Sequence, residues 1–289
     1  ESLDDDTQLA ASVTTLGDIA HRQGQVDRAQ EHYERSLAIN REVDDHRGVA
    51  NSLHRLGIVA TGRSEYDRAR GYHEEGLDHF REIGDRFGVA KSLLALGNAA
   101  KGQGEPERAG EHYEESLAAF RAVGARHAVA ATLNNLGLVA HRRGDLEEAL
   151  EHYEESLEIK RDVGDRPRVA AALNNLGEVA RDQGDYERAR EYYEQSLEIS
   201  RDIGETHRIA MGYDNLGRIA RVQGNAASAR EYYEKSLAAY RETEDRRRVA
   251  RVLLELGGIA ADRTEHDRAR DLLEEAAEIA ADVGNDPIL

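Results

Sequence analysis

The chain has 289 residues, no Cys, one Met and a net charge of -18, from 57 acidic and 39 basic side chains. Without cysteine there is no disulfide, no thiolate metal site and no cysteine nucleophile. The acidic balance disfavours nucleic acid and anionic membrane as partners of the surface as a whole, because phosphate contacts need a basic stripe.

No apolar run reaches the length of a membrane span. No leader peptide is recognisable, although the chain begins at Glu1 without Met. The reading therefore expects a cytoplasmic protein, no membrane partner, no nucleic acid and no cofactor. Lysine is scarce, at Lys91, Lys101, Lys160 and Lys235, so arginine supplies most of the positive charge. The acid excess fits solvated helix faces with a compositional bias, and it also fits adaptation to high salt.

In chain order, residues 1–9 read as the tail of a preceding unit. Leu3 is in register with Val43 and Val163, and Asp4-Asp5 with the turn Gly164-Asp165. Seven units follow, at 10–49, 50–89, 90–129, 130–169, 170–209, 210–249 and 250–289. The fourth is the clearest. Ala130, Leu133, Leu136 and Ala140 recur at steps of three and four, which places them on one face of a helix. Gly144 offers a left-handed stop and Asp145 a helix N-cap. Leu146, Ala149, Leu150, Tyr153, Leu157 and Ile159 then resume the helical period up to the next stop, Gly164-Asp165.

Every unit repeats this at a period of forty. The Leu-Gly pair recurs from Leu16-Gly17 to Leu256-Gly257, with alanine three and twelve residues after the glycine. An aromatic follows at Tyr33, Tyr113, Tyr153, Tyr193 and Tyr233, replaced by His73 and Leu273 in the second and seventh units. Ser64 and Thr264 replace the turn glycine within the second and seventh units, the least regular of the seven. Asp44 and Glu244 replace it between units, and at those two junctions a different bend is expected. At the far end Gly284-Asn285 reads as a turn, Pro287 as the first turn of a helix and Leu289 as its beginning. Neither end carries a polar cap, so the chain reads as one slice of a longer array.

A fixed period of this size means stacked supersecondary units. The Leu-Gly pair, the alanine twelve residues on, Tyr153 and Ser156 resemble the tetratricopeptide repeat, and the resemblance covers nearly the whole chain. It implies an all-α, right-handed solenoid of seven helix-turn-helix repeats, hence fourteen main helices. The family's usual aromatic early in the first helix is Leu here (Leu133, Leu173), except at Tyr213. The period exceeds the common unit of about 34 residues. Six further residues lengthen the second helix by about 9 Å. Longer units of this kind look like those of kinesin light chains and of signalling ATPases with repeat sensor domains.

No catalytic set stands out, and no metal site is expected. Acid pairs such as Glu147-Glu148 and Glu154-Glu155 point apart on a helix. His32, His112 and His152 share one slot beside the core tyrosine, as surface or packing residues. Ser36, Ser116, Ser156, Ser196 and Ser236 occupy a small-residue packing position. No metalloprotease motif, phosphate loop or dinucleotide loop is present.

One pattern suggests binding. Each first helix carries a second, polar stripe opposite its apolar one. In the fourth unit it includes Asn134, Asn135, His141 and Arg142; in the fifth Asn174, Asn175, Glu178 and Arg181; in the sixth Asn215, Arg218 and Arg221. Over all units the stripe holds nine basic and six acidic residues, a net +3 inside an acidic chain. In the resembled family first helices line a concave groove, where asparagine and basic residues bind peptides. Asparagine can pair with an extended backbone, and arginine can hold a carboxylate with two bonds. The alternative is that Asn135, Asn175 and Asn215 simply bond the neighbouring repeat.

The expectation is a non-enzymatic interaction module for a protein or peptide with acidic residues or a free C-terminus. It would be the sensor or scaffold part of a larger signalling protein. The competing expectation is a structural array that self-associates end to end.

Overall fold

The computed structural model describes residues 2–285, which form fourteen α-helices and no strand. They are α1 (Ser2–Arg22), α2 (Val26–Glu42), α3 (His46–Gly62), α4 (Tyr66–Glu82), α5 (Arg86–Gln103), α6 (Pro106–Ala122) and α7 (Arg126–Arg143). Then come α8 (Leu146–Asp162), α9 (Arg166–Asp182), α10 (Tyr186–Ile203), α11 (Thr206–Val222), α12 (Ala226–Glu242), α13 (Arg246–Asp262) and α14 (His266–Asn285). Odd-numbered helices are the first helices of the repeats. None of the described helices is long and apolar enough to cross a membrane.

The chain reverses at every twentieth residue from 24 to 264, each time through a residue with φ between +55° and +88°. Nine of these thirteen are glycine. Asp44 and Glu244 take the same left-handed conformation instead of bending differently, and Ser64 and Thr264 take it as well. Their hydrogen bonds match as well. Asp45 N–H reaches the Asn40 carbonyl at 2.9 Å, as Asp165 N–H reaches that of Lys160 at 3.0 Å. Packing on both sides holds the turn even where a side chain makes it cost about 1–2 kcal/mol. Several following helices start on an Asx cap: Asp85 accepts from Gly88 N–H at 2.9 Å and Asp185 from Arg188 N–H at 3.1 Å.

Two expected turns do not form. α1 runs unbroken through Asp4-Asp5, and α14 runs through Gly284. Among the described residues no helix packs beyond either point, so local helical preference goes unopposed. The expectations for Pro287 and Leu289 lie outside the described residues.

The apolar stripes are buried as their spacing demands. Leu133, Leu136 and Ala140 are buried in α7, and Ala149, Tyr153 and Leu157 in α8. The alanine twelve residues after each Leu-Gly pair lies under the facing helix, and the glycine itself seats the aromatic ring. A Cβ on Gly177 would stand 2.5 Å from Tyr193 Cε1, so only glycine admits the ring at this depth. The repeated serine is a clasp. Ser116 Oγ donates to the Ala90 carbonyl at 2.8 Å and Ser196 Oγ to that of Ala170 at 2.8 Å, each between the two helices of a hairpin. Each fully buried Leu stabilises by about 1.5–3 kcal/mol.

The chain divides into two compact units, Glu1–Ser156 and Leu157–Leu289, with the division inside α8. In the first, Tyr33, Leu37, Leu53, Leu56 and Val59 form one core cluster. In the second, Tyr193, Leu197, Leu216 and Ile219 form one cluster, and Tyr233, Tyr240, Leu253 and Ile259 another.

Candidate peptide-binding surface

The helical period that buries Leu133 and Leu136 turns Asn134, Asn135, Leu138, His141 and Arg142 away from the facing helix. The same step operates in every odd-numbered helix, so successive repeats line up their polar stripes within each unit.

In the first unit these stripes are cross-linked. Arg55 makes a two-pronged bridge to Asp18 in the preceding repeat, at 2.7 and 3.0 Å. The Tyr33 hydroxyl donates to the same carboxylate at 2.8 Å. Arg55 holds Asp18 below the usual carboxylate value, against the opposing effect of partial burial. His54, Ile58 and Lys91 join them around a cleft of about 300 Å³. Two repeats on, the same positions are neutral: Asn135 Nδ2 approaches Asn98 Oδ1 at 3.5 Å, and the Tyr113 hydroxyl donates to Asn98 Oδ1 at 2.8 Å. Asn134 and His141 are half-buried beside them.

Arg142 is exposed, and among the described residues no carboxylate lies within 4.0 Å of it or of Lys101. Burial, and then the Arg142 charge, push Lys101 below the ordinary lysine value. Two cations thus stand near each other on the stripe, with no carboxylate within 4.0 Å among the described residues.

In the second unit Asn215 and Asn174 are buried. Asn215 Nδ2 donates to Asn174 Oδ1 at 2.8 Å, and Asn174 Nδ2 to Glu178 Oε1 at 3.1 Å. Asn175 and Glu178 are half-buried. Arg181 bridges to Asp182 at 2.8 Å, Arg221 pairs with Glu255, and Arg251 pairs with the buried Asp214. Arg218 is exposed with no carboxylate within 4.0 Å among the described residues. The Tyr193 hydroxyl is buried and unpartnered, and the charges of Arg181, Glu178 and Arg218 act on it after burial itself.

The stripe therefore sorts into two sets. Asn135, Asn174, Asn215, Arg181 and Arg221 are tied to neighbouring side chains, most of them across repeats. Arg142 and Arg218 are open. The tyrosine hydroxyls and Asn98 were missed in reading the sequence. The available signal was a polar residue fifteen positions before the tyrosine, as in Asp18 with Tyr33 and Asn98 with Tyr113.

Paired helices stacked through small residues, with a polar stripe on every first helix, define a helical-repeat scaffold. The tetratricopeptide-repeat model matches residues 8–82, 50–122, 88–162, 128–202 and 205–282. The chain belongs to the tetratricopeptide-repeat family. No curated protein sequence matches it. Among solved structures it is similar to the apo form of RapI, with TM-score 0.74, 15% identity, and 96% of this chain and 99% of that one covered. It is similar to the Rap conjugation regulator of plasmid pLS20 in complex with the Phr* peptide, with TM-score 0.59, 16% identity and 94% and 73% covered. It is also similar to a signal-transduction ATPase of Pyrococcus horikoshii with a tetratricopeptide-repeat sensor, with TM-score 0.70, 16% identity and 96% and 45% covered. Such likenesses define a tetratricopeptide-type helical solenoid fold.

Proposed function

We propose that the chain is a protein-interaction module that holds an extended or helical peptide against its first-helix stripes. The ligand carries Asp, Glu or a free C-terminal carboxylate. The observation that carries this reading is the pair Lys101 and Arg142, uncompensated in a chain with 57 acids and 39 bases. A carboxylate between them relieves the like-charge repulsion and forms charge-assisted bonds. Arg218, whose charge is felt at the unpartnered Tyr193 hydroxyl, offers a second such point in the other unit. That a similar structure holds the Phr* peptide supports a peptide as the occupant. The similar ATPase with a repeat sensor supports a sensor or scaffold role within a larger signalling protein.

Fluorescence anisotropy with peptides ending in a free carboxylate or in an amide tests the proposal. The carboxylate form binds more tightly, and Arg142→Ala or Arg218→Ala weakens it by about 1.5–3 kcal/mol per charged bond lost, without lowering the melting temperature. Equal binding of the acid and amide forms by wild type and variants alike sinks it.

A second reading, self-association, has one observation in its favour. Leu9, Leu16 and Ile19 are exposed on one side of α1, at 42%, 49% and 40%. Light scattering against concentration decides it, since a constant mass removes it.

A further inference from the structure

In a repeat array the informative positions are those that break the repeat. The register shared by residues 46 and 82 is an ion pair in two other hairpins: Arg166 bridges Asp202 and Arg246 bridges Asp282, each at 2.8 Å or less. In the α3–α4 hairpin the basic member is His46, the first residue of α3, facing Glu82 at the end of α4. Position 79 is Ile39, Ile159, Ile199 or Ile279 in other repeats, and Ala119 or Ala239 in the rest, but here it is His79. Two departures from the pattern thus meet at the open end of one hairpin, opposite its connecting turn.

Their atoms converge. His46 Nδ1 lies 3.0 Å from His79 Nδ1 and 2.9 Å from a Glu82 carboxylate oxygen, and His79 Nδ1 lies 3.7 Å from that carboxylate. These three edges bracket the spacing of about 3.3 Å expected between ligands of a tetrahedral ion with bonds of about 2.0–2.1 Å. An ion at that distance from all three atoms sits just off their plane. On the far side of the His46 ring, Nε2 is 3.5 Å from an Asp44 carboxylate oxygen. A carboxylate there favours the tautomer with the proton on Nε2, which frees the Nδ1 lone pair. At 3.5 Å this contact is longer than the hydrogen bond that outer-shell carboxylates make to metal-bound histidine, so it acts through charge alone.

We propose that His46, His79 and Glu82 form a binding site for a zinc-type divalent cation, with Asp44 orienting His46 and the remaining coordination position open to solvent. Three basic atoms are packed together, and a single proton can bridge only one pair of them. A cation satisfies all three. His79 and Glu82 sit in the last turn of α4, where the helix's own partial charge is negative and favours a cation. Two imidazoles and one carboxylate match zinc and cobalt(II) better than magnesium or calcium, which prefer all-oxygen shells. The ion would clip the amino end of α3 to the carboxyl end of α4.

The test is titration of the tag-free chain with Co²⁺ and Zn²⁺, followed by cobalt absorption and melting temperature. Wild type is expected to take up one tight equivalent, to show the visible bands of low-coordinate cobalt, and to melt higher with zinc. His79→Ile restores the residue found elsewhere in the array, so it should fold. It should bind at least about tenfold more weakly, the scale at which even outer-shell partners count. Glu82→Gln, at an exposed position, is the second variant should His79→Ile fail to fold, and the same weakening is expected. Absence of a tight equivalent in wild type overturns the proposal. So does uptake that is unchanged in the folded variant, since the remaining histidines would then be binding the metal adventitiously.

Discussion

The Asn215 side-chain amide donates a 2.8 Å hydrogen bond to Asn174 Oδ1 in the preceding repeat, with both residues buried. An asparagine that looked available to a ligand is thereby part of the fit between two first helices. Asn215→Ala leaves the Asn174 oxygen buried without its partner. It should cost about 1–3 kcal/mol of stability, read as a lower midpoint in urea. Arg218→Ala, one turn further along the same helix, should leave that midpoint unchanged. If Asn215→Ala is neutral in urea, the bond adds nothing to stability.

The four left-handed residues that are not glycine make a second prediction. Ser64→Gly and Thr264→Gly should each raise stability by about 1 kcal/mol, because glycine removes the Cβ strain at φ +61° and +60°. Gly144→Ala should lower it by a similar amount. Melting temperatures of the three variants check both signs.

A third concerns the serine clasp. The second repeat has Gly76 at this position, and a Cβ built there stands 3.4 Å from the Ala50 carbonyl oxygen. Ser116 and Ser196 reach the equivalent carbonyl in their own hairpins. Gly76→Ser should therefore add a buried hydrogen bond and remove a helical glycine, for a gain of about 1–2 kcal/mol. Gly76→Ala separates the two contributions, and a serine variant no better than alanine would remove the hydrogen bond from the account.

Acid should loosen the first unit. His73 fills the slot that tyrosine fills elsewhere, packed on Gly57, and its ring lies 5.3 Å from that of His54. Burial, and then the Lys91 charge, push His73 down to about 4. Burial, followed by Lys91, His73 and Arg55, depresses His54 as well. A depressed imidazole means that the unfolded chain takes up the proton first. The stabilisation is complete above about pH 6.5 and is lost as pH falls toward 4. For His73 the loss between pH 7 and pH 4 is roughly 3 kcal/mol. His73→Phe keeps the ring and removes the titration, so urea midpoints at pH 7 and pH 4.5 should lie closer together than in wild type.

Much of the fold was legible because one strong signal repeats. The stripe of Leu133, Leu136 and Ala140, the notch at Gly137 and the stop at Gly144 each recur at a fixed step, so every copy supports the others. The ends were less legible. Whether Asp4 or Gly284 turns the chain depends on a neighbouring helix, which no local pattern encodes. The polar stripe was legible as a surface but not as a network. Arg142 and Arg181 look alike in sequence, yet one stands open while the other is held by Asp182. Spacing also hid His46 and His79, 33 residues apart. Only the antiparallel return of α4 along α3 brings them together.

The reversal at every twentieth residue has a consequence for how such a chain can change in length. Removing forty residues anywhere returns each remaining side chain to an equivalent place, with first helices still first and second helices still second. Removing the twenty of a second helix joins a first helix to another first helix. The Leu-Gly notches would then face one another with no aromatic ring to fill them. Growth and loss in such a gene should therefore proceed by whole hairpins, and a surviving half-hairpin would mark a terminus.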